Sequence, residues 1–365
     1  MAGRTVLFGA TGYTGRLTAE QMVARGMSPV LAARDAGRLE SLSGELGGLE
    51  TAVADVSRPE TVAALVGEGD VLVSTVGPFA RWGGPALDAA IGSGAHYIDS
   101  TGEPAFIRRV FEREGTRAEA SGSVLLTALG YDWVPGNLAG ALALQRAGDA
   151  AHRVRIGYFM RGRGGMSGGT RASSAGAFLE PQFAYREGRL VTERGGARVA
   201  SFAVGGRQRQ ALSVGSSEHF GLPAAFPSLR EVDVYLGWFG GATRALSGVS
   251  LAMSGLMKVP GAKGAADAAF SRFVKGSTGG PGPEERAKGG SEFVAEALAG
   301  DGTVLAQVRL AGVDGYTFTG GMLAWAAENV SSGSVTKAGA LGPVEAFGVE
   351  ALEAGVAEAG ITLAS

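Results

Sequence analysis

Gly9-Ala10-Thr11-Gly12-Tyr13-Thr14-Gly15 follows directly on the apolar run Thr5-Val6-Leu7-Phe8. Its glycines recur at every third position, behind a strand pattern and ahead of a helix pattern. In that context the first glycine permits a tight turn and the second lets backbone approach a pyrophosphate. The third lets helix and strand pack closely. Glycine spacing alone is weak in a chain with 62 glycines, so the flanking elements carry the reading. The competing reading is a tight turn that binds nothing.

Working outward, the rhythm of strand and helix continues. Strand-like runs fall at 5–9, 28–34, 51–56, 70–76, 95–99 and 123–129, with helical patterns at 14–25, 36–46, 59–67, 84–93 and 104–120. Apolar strands alternating with helices predict a parallel sheet covered on both faces, a doubly wound Rossmann-type α/β domain over residues 1–130. Beyond residue 130 the runs lengthen, at 152–160, 197–204, 230–238, 291–300 and 303–312. The last two flank Asp301-Gly302, a hairpin signal. A second, α+β domain with a mostly antiparallel sheet is therefore expected over 131–319. Residues 275–290 read as loop, and 320–365 as a helical segment that packs back on the first domain.

Composition narrows the function. The net charge of −2 argues against nucleic-acid binding. With no cysteine and three scattered histidines, thiolate chemistry is excluded and a metal site is not expected. No lysine precedes Lys258, so a Tyr-Lys catalytic pair is unavailable in the first half. No signal peptide is read, and the most apolar stretch, Ala245 to Met257, is too short to span a bilayer. It reads as an amphipathic core helix or as a greasy interface for an acyl chain. A cytoplasmic protein is expected, and a homodimer is compatible with the sequence.

The phosphate loop contributes Gly9, Thr11, Gly12, Tyr13, Thr14 and Gly15 to the expected cofactor site. Strand two ends Ala33-Arg34-Asp35, with Arg38 one turn later. A guanidinium there suits a ribose 2′-phosphate, so NADP(H) is expected over NAD(H). Asp35 is discordant unless it caps the next helix. Asp55, at the end of strand three, either contacts the adenine amino group or shapes a turn. Thr75, Val76, Gly77 and Pro78 end strand four, where small residues would let a nicotinamide lie against backbone.

Candidates for acid chemistry cluster at the end of strand five, where Tyr97 and Asp99 share one face of the strand. Tyr97 is the expected proton donor to a carbonyl oxygen or enolate. Asp99 either assists it or caps the following segment. Tyr131, Asp132 and Asn137 stand at a helix start before and after Pro135, and Ser167, Gly169 and Thr170 at another. These six are the expected substrate contacts, with simple capping as the alternative for Asp132.

Taken in order, several stretches resemble the saccharopine dehydrogenase-like oxidoreductases, in particular the branch that holds the bacterial trans-acting enoyl reductases. They are GATGYTGRL, residues 76–103 ending HYIDSTGE, GYDWVPGNL (130–138), SGGTRASS (167–174), GPGPEERA (280–287) and DGYTFTGGMLAWAA (314–327). The middle motif departs from the family pattern at Tyr131, Trp133 and Asn137, which puts the substrate pocket in question. The resemblance implies an NADPH-dependent reductase. The preferred reaction is reduction of a C=C bond conjugated to a carbonyl, in a small-molecule or carrier-bound acyl substrate of lipid or polyketide type. An imine (C=N) reductase or dehydrogenase of saccharopine type is the alternative, with Arg81, Arg161, Arg163 and Arg171 as anchors. A non-catalytic NADP(H) sensor is a third.

Overall fold

The structure, a computed structural model, describes residues 3–162, 181–256 and 279–364. It divides into two compact units. The first runs to Gly102 and adds Phe106–Val134 and Gly315–Ile361; the second is mainly Pro135–Asp314.

In the first unit, strands β1 (Thr5–Phe8), β2 (Val30–Ala33), β3 (Thr51–Val53), β4 (Val71–Ser74), β5 (His96–Asp99) and β6 (Val124–Leu126) alternate with helices. These are α1 (Tyr13–Ala24), α2 (Ala36–Glu45), α3 (Pro59–Ala63), α4 (Phe79–Trp82), α5 (Gly84–Ser93), α6 (Pro104–Arg109) and α7 (Gly115–Ser121). A π-helical turn, Val110–Glu114, joins the last two. The sheet order is 6-5-4-1-2-3 with every pair parallel, and a short strand, Gly339–Ala340, extends it beside β6. All four residues of β2 and of β4 are buried, as strands covered on both faces require. This is the Rossmann-type sheet expected from the sequence.

The helix Gly315–Ser331 belongs to this first unit. Its middle, Phe318 to Ala327, is continuously buried, and Gly320 lies against the Leu17 backbone of α1. The C-terminal segment is thus not purely helical as expected from 320 onward. It begins inside this helix and carries the Gly339–Ala340 strand, whose Gly339 N–H donates to the Ser123 carbonyl. A two-residue strand between glycine-rich turns has too little periodicity to be read in advance.

The second unit is built on a nine-stranded mixed sheet. Its main path is β10 (Val199–Val204), β11 (Arg207–Ser213), β12 (Glu231–Leu236), β7 (Arg153–Arg161), β13 (Gly290–Leu298), β14 (Val304–Gly312) and β16 (Ile361–Leu363). The hairpin β8 (Gln182–Arg186) and β9 (Arg189–Glu193) joins through β12. Only the β12–β7 pair is parallel among the described pairings, so the sheet is mostly antiparallel. Asp301-Gly302 makes the expected β13–β14 hairpin, with the Asp301 side chain accepting from the Thr303 N–H. The 279–290 stretch is not all loop, because Pro283–Lys288 forms a helix with Glu284 and Glu285 in its first turn.

Helix α8 (Val134–Ala147) enters this unit at a buried polar cluster. The Tyr158 hydroxyl accepts from the Gly136 N–H at 2.9 Å and donates to Glu218 Oε1 at 2.6 Å. A Cβ at Gly136 would lie 2.2 Å from that hydroxyl, which explains the glycine after Pro135. The helix Thr243–Leu256 exposes Val249 and Leu251. No helix among the described residues is long and apolar enough to cross a membrane.

Candidate active site

The carboxyl ends of β1, β2, β4, β5 and β6 converge in the first unit, the place where parallel sheets bind ligands. The glycine loop occupies the end of β1. Gly9 has φ +91° and a Cβ there would lie 2.7 Å from Thr75 Oγ1, so glycine is needed both for the turn and for the close approach of β4. A Cβ at Gly15 would meet the Gly9 carbonyl oxygen at 2.1 Å, the helix-to-strand contact expected of the third glycine. Gly12 caps α1 without a side-chain bond, and its Cβ position meets nothing closer than 3.1 Å. One side of the loop is therefore bare backbone at a helix N-terminus, the surface a pyrophosphate requires.

The other expected cofactor residues lie at the ends of β2, β3 and β4. Thr75 donates to the Phe8 and Gly9 carbonyls, both at 3.2 Å, and fastens the end of β4 to the loop. Val76 follows, packed against the core; Gly77 is exposed; Pro78 precedes α4. Asp35 caps α2, its carboxylate accepting from the Arg38 N–H at 3.0 Å. Arg38 in turn donates to the Thr11 carbonyl at 2.7 Å, which holds its guanidinium beside the loop. Arg34 is exposed, and among the described residues it has no hydrogen bond or ion pair. Asp55 accepts from both the N–H and the hydroxyl of Ser57 at 2.8 Å.

The ends of β5 and β6 show a different arrangement. Asp99 is fully buried and accepts three hydrogen bonds: from Thr101 N–H at 2.8 Å, Ala128 N–H at 2.9 Å and Thr127 Oγ1 at 2.7 Å. Burial raises its acid to about 6 against the pull of those donors. Tyr97 does share its face, but it is fully buried in the core, with Leu72 and Leu125 beside it on the neighbouring strands. Its hydroxyl lies beside Asp99 and Ser74 yet reaches hydrogen-bond geometry with neither. Burial, then the Asp99 charge, pushes that phenol well above its ordinary range.

Asp132 occupies the loop that follows β6. Its flanking backbone is pinned on both sides: Tyr131 N–H donates to Thr319 Oγ1 at 3.0 Å and Trp133 N–H to the Ala128 carbonyl at 3.1 Å. The carboxyl lies against Gly102, where a Cβ would be 2.7 Å from Oδ2. The residue as a whole is half-buried, but Oδ1 is enclosed and has no hydrogen-bond partner among the described residues. Burial pushes this acid up to about 7. A carboxyl without donors around it is most stable protonated, so the group is poised to carry a proton near neutrality.

The other expected contacts fall elsewhere. The Tyr131 ring packs against Gly315, which leaves that glycine no room for a side chain. Asn137 is fully buried in the second unit, with Nδ2 donating to Ser217 Oγ at 3.0 Å. Ser167, Gly169 and Thr170 lie outside the described residues, as do Arg163 and Arg171. Arg81 stacks over Trp82 at 4.5 Å. Residues that sequence reading missed are Thr127, which holds Asp99, and Tyr316 and Thr319 on the C-terminal helix. Tyr316 packs edge-on against Tyr13 of the glycine loop at 5.1 Å. The signal was present in DGYTFTGG, a motif too distant in sequence to be placed beside the loop without the fold.

Residues 9–117 match the NAD(P)H-binding family. A curated Mycobacterium tuberculosis protein that bears the name trans-acting enoyl reductase is 37% identical over 180 residues, covering 46% of this chain and 42% of its own length. One from Mycobacterium leprae is 37% identical over 139 residues, covering 36% of this chain and 33% of its own. The chain thus spans less than half the length of these relatives. Among solved structures, apo saccharopine dehydrogenase (L-Glu forming) from Saccharomyces cerevisiae superposes with a TM-score of 0.62 at 13% identity over 100% of both chains, a likeness of fold. These matches bear out the resemblance read from the motifs, and a nicotinamide cofactor with it.

Proposed function

We propose that this chain is an NADPH-dependent reductase that reduces a C=C bond conjugated to a carbonyl, in an acyl substrate of lipid or polyketide type. The observation that carries the chemistry is Asp132, an enclosed acid with a free Oδ1 on a pinned loop at the carboxyl end of the sheet. The match to enoyl-reductase-named proteins supports the substrate class. The uncommitted guanidinium of Arg34 supports NADP(H) over NAD(H).

The residues present fit the cofactor. Gly9, Gly12 and Gly15 leave the bare cradle for its pyrophosphate, Arg34 and Arg38 stand at the 2′-phosphate end, and Thr75 to Pro78 border the nicotinamide end. When bound, the reduced nicotinamide would supply a hydride for the carbon β to the carbonyl. Asp132 would hold the proton that the α carbon takes, presented from the half-open side of the residue and not from the enclosed Oδ1. The carboxylate left behind regains a proton from solvent through the half-open side of the residue. Asp99 accepts three hydrogen bonds and acts as the tie between β5 and β6. Tyr97, closed into the core below it, keeps its proton.

The test is NADPH oxidation by purified protein, offered a crotonyl-type thioester and, separately, a cyclic imine. Turnover of the thioester supports the reading. Turnover of the imine alone moves the chain to C=N reduction, and tight NADPH binding with neither substrate consumed makes it a sensor.

A further inference from the structure

The β2–β3 rim carries a second arginine that the glycine-loop reading does not use. Strand pairing sets Ala33 opposite Val53, and the Ala54 N–H donates to the Ala33 carbonyl at 3.0 Å. The same register sets Arg34 opposite Ala54, one residue before Asp55, so the two leave the sheet within one residue of each other. Asp55 then turns tightly onto Arg58, whose N–H donates to the Asp55 carbonyl at 2.9 Å. Thr61 locks this turn: its hydroxyl accepts from the Asp55 N–H at 3.0 Å and donates to the Arg58 carbonyl at 2.7 Å. The backbone that presents Arg58 is thus fixed at the end of β3, and the charges of Arg58 and Arg34 both act on Asp55.

Asp55 is an obstacle to any phosphate at this rim unless its charge is answered. Both Ser57 donors bind its carboxylate and, with the Arg58 and Arg34 charges, hold it below the usual carboxylate range. Yet neither arginine forms an ion pair with it. Among the described residues, Arg34 and Arg58 are both exposed, and neither guanidinium has a hydrogen-bond or ion-pair partner. By contrast, Arg4, Arg16, Arg25, Arg108, Arg109 and Arg117 of the same unit are all committed to carboxylates. Two free guanidinium groups and one ionised carboxylate leave a net positive charge with donors to spare, which matches a phosphate.

The geometry points to Arg58 as a second specificity-determining arginine, which closes with Arg34 on the 2′-phosphate of the cofactor from the β3 side. This rests on the NADP(H) reading above. Asp55 is then a spacer that keeps the two cations apart and directed outward.

Calorimetric titration of the full chain with NADPH, NADH, 2′,5′-ADP and 5′-AMP tests it. Arg58→Ala is expected to weaken NADPH and 2′,5′-ADP about tenfold, the usual loss of one charged hydrogen bond. NADH and 5′-AMP should change less than about twofold on the same grounds. Arg34→Ala should show the same selectivity, and the double variant should lose less than the product of the two, since both bind one group. Wild type that prefers NADPH while Arg58→Ala retains full affinity overturns the role of Arg58 and leaves the NADP(H) reading standing. Equal losses for NADPH and NADH also overturn it, because the 2′-phosphate is then not what Arg58 touches. Wild type that binds NADPH and NADH equally overturns both.

Discussion

Asp99, buried at the end of β5, and Asp132, half-buried in the loop after β6, are two acids of one unit with opposite surroundings. Asp99 is met by two backbone N–H groups and a hydroxyl. Asp132 has an enclosed Oδ1 that nothing among the described residues meets. Donors turn a carboxylate into a structural tie, because removing it would orphan each of them. Lack of donors makes an acid costly to ionise and therefore able to hold and release a proton near neutral pH. The contrast separates a group that fastens β5 to β6 from a group available to chemistry, although both acids belong to polar motifs of similar appearance.

The contrast breaks most visibly in turnover. Asp132→Asn keeps the shape and removes the acid, so the rate on a thioester substrate should fall about 10²–10⁴-fold, the usual range for a general acid. NADPH affinity should be unchanged in a titration. Asp99→Asn should act on the other side of the comparison. Its amide cannot satisfy the same three donors, and the expected loss is about 2–3 kcal/mol of stability, read as a lower denaturation midpoint.

A smaller effect sharpens the sign of the Asp132 environment. Its folded-state acid lies near 7, above the ordinary carboxylate value, so the folded protein holds a proton that the unfolded chain has released. The stability associated with this group must therefore fall as pH rises from about 4 through about 7. Asp132→Asn should flatten that part of the stability–pH curve by on the order of 2 kcal/mol, after allowance for the half-open side of the residue. An unchanged slope in denaturation series at pH 5 and pH 8 would place the ionisation elsewhere. The smallest effect belongs to Tyr97. Removing its partnerless hydroxyl in Tyr97→Phe should leave turnover within about threefold and stability within about 1 kcal/mol of wild type. A hundredfold loss of turnover would return the proton to the phenol.

Much of this was legible in the sequence, because the Rossmann strands are short apolar runs with no competing pattern and the glycine loop follows the first of them. The face shared by Tyr97 and Asp99 follows from strand alternation alone. Depth along the strand does not: whether a hydroxyl lies at the rim or under the sheet depends on what packs over it, here a buried core to which later helices contribute Phe106 and Val110. The donors to Asp99 were equally hidden, since Thr127 and Ala128 lie 28 and 29 residues away in the chain. The hairpin β8–β9 escaped because Arg186-Glu187-Gly188-Arg189 interrupts two runs that mix charged and apolar residues without clean alternation. Asp132 was visible as a polar residue at a helix start. Its lack of donors is a property of the fold around it.

The account depends above all on Asp132 carrying a proton near neutrality, and carbon-13 NMR of aspartate carboxyls reads this directly without a substrate. In wild type, one resonance that is absent from Asp132→Asn should titrate near pH 7. If that resonance instead titrates in the ordinary range near pH 4, Asp132 is a solvated carboxylate and the assignment of the proton to it is wrong.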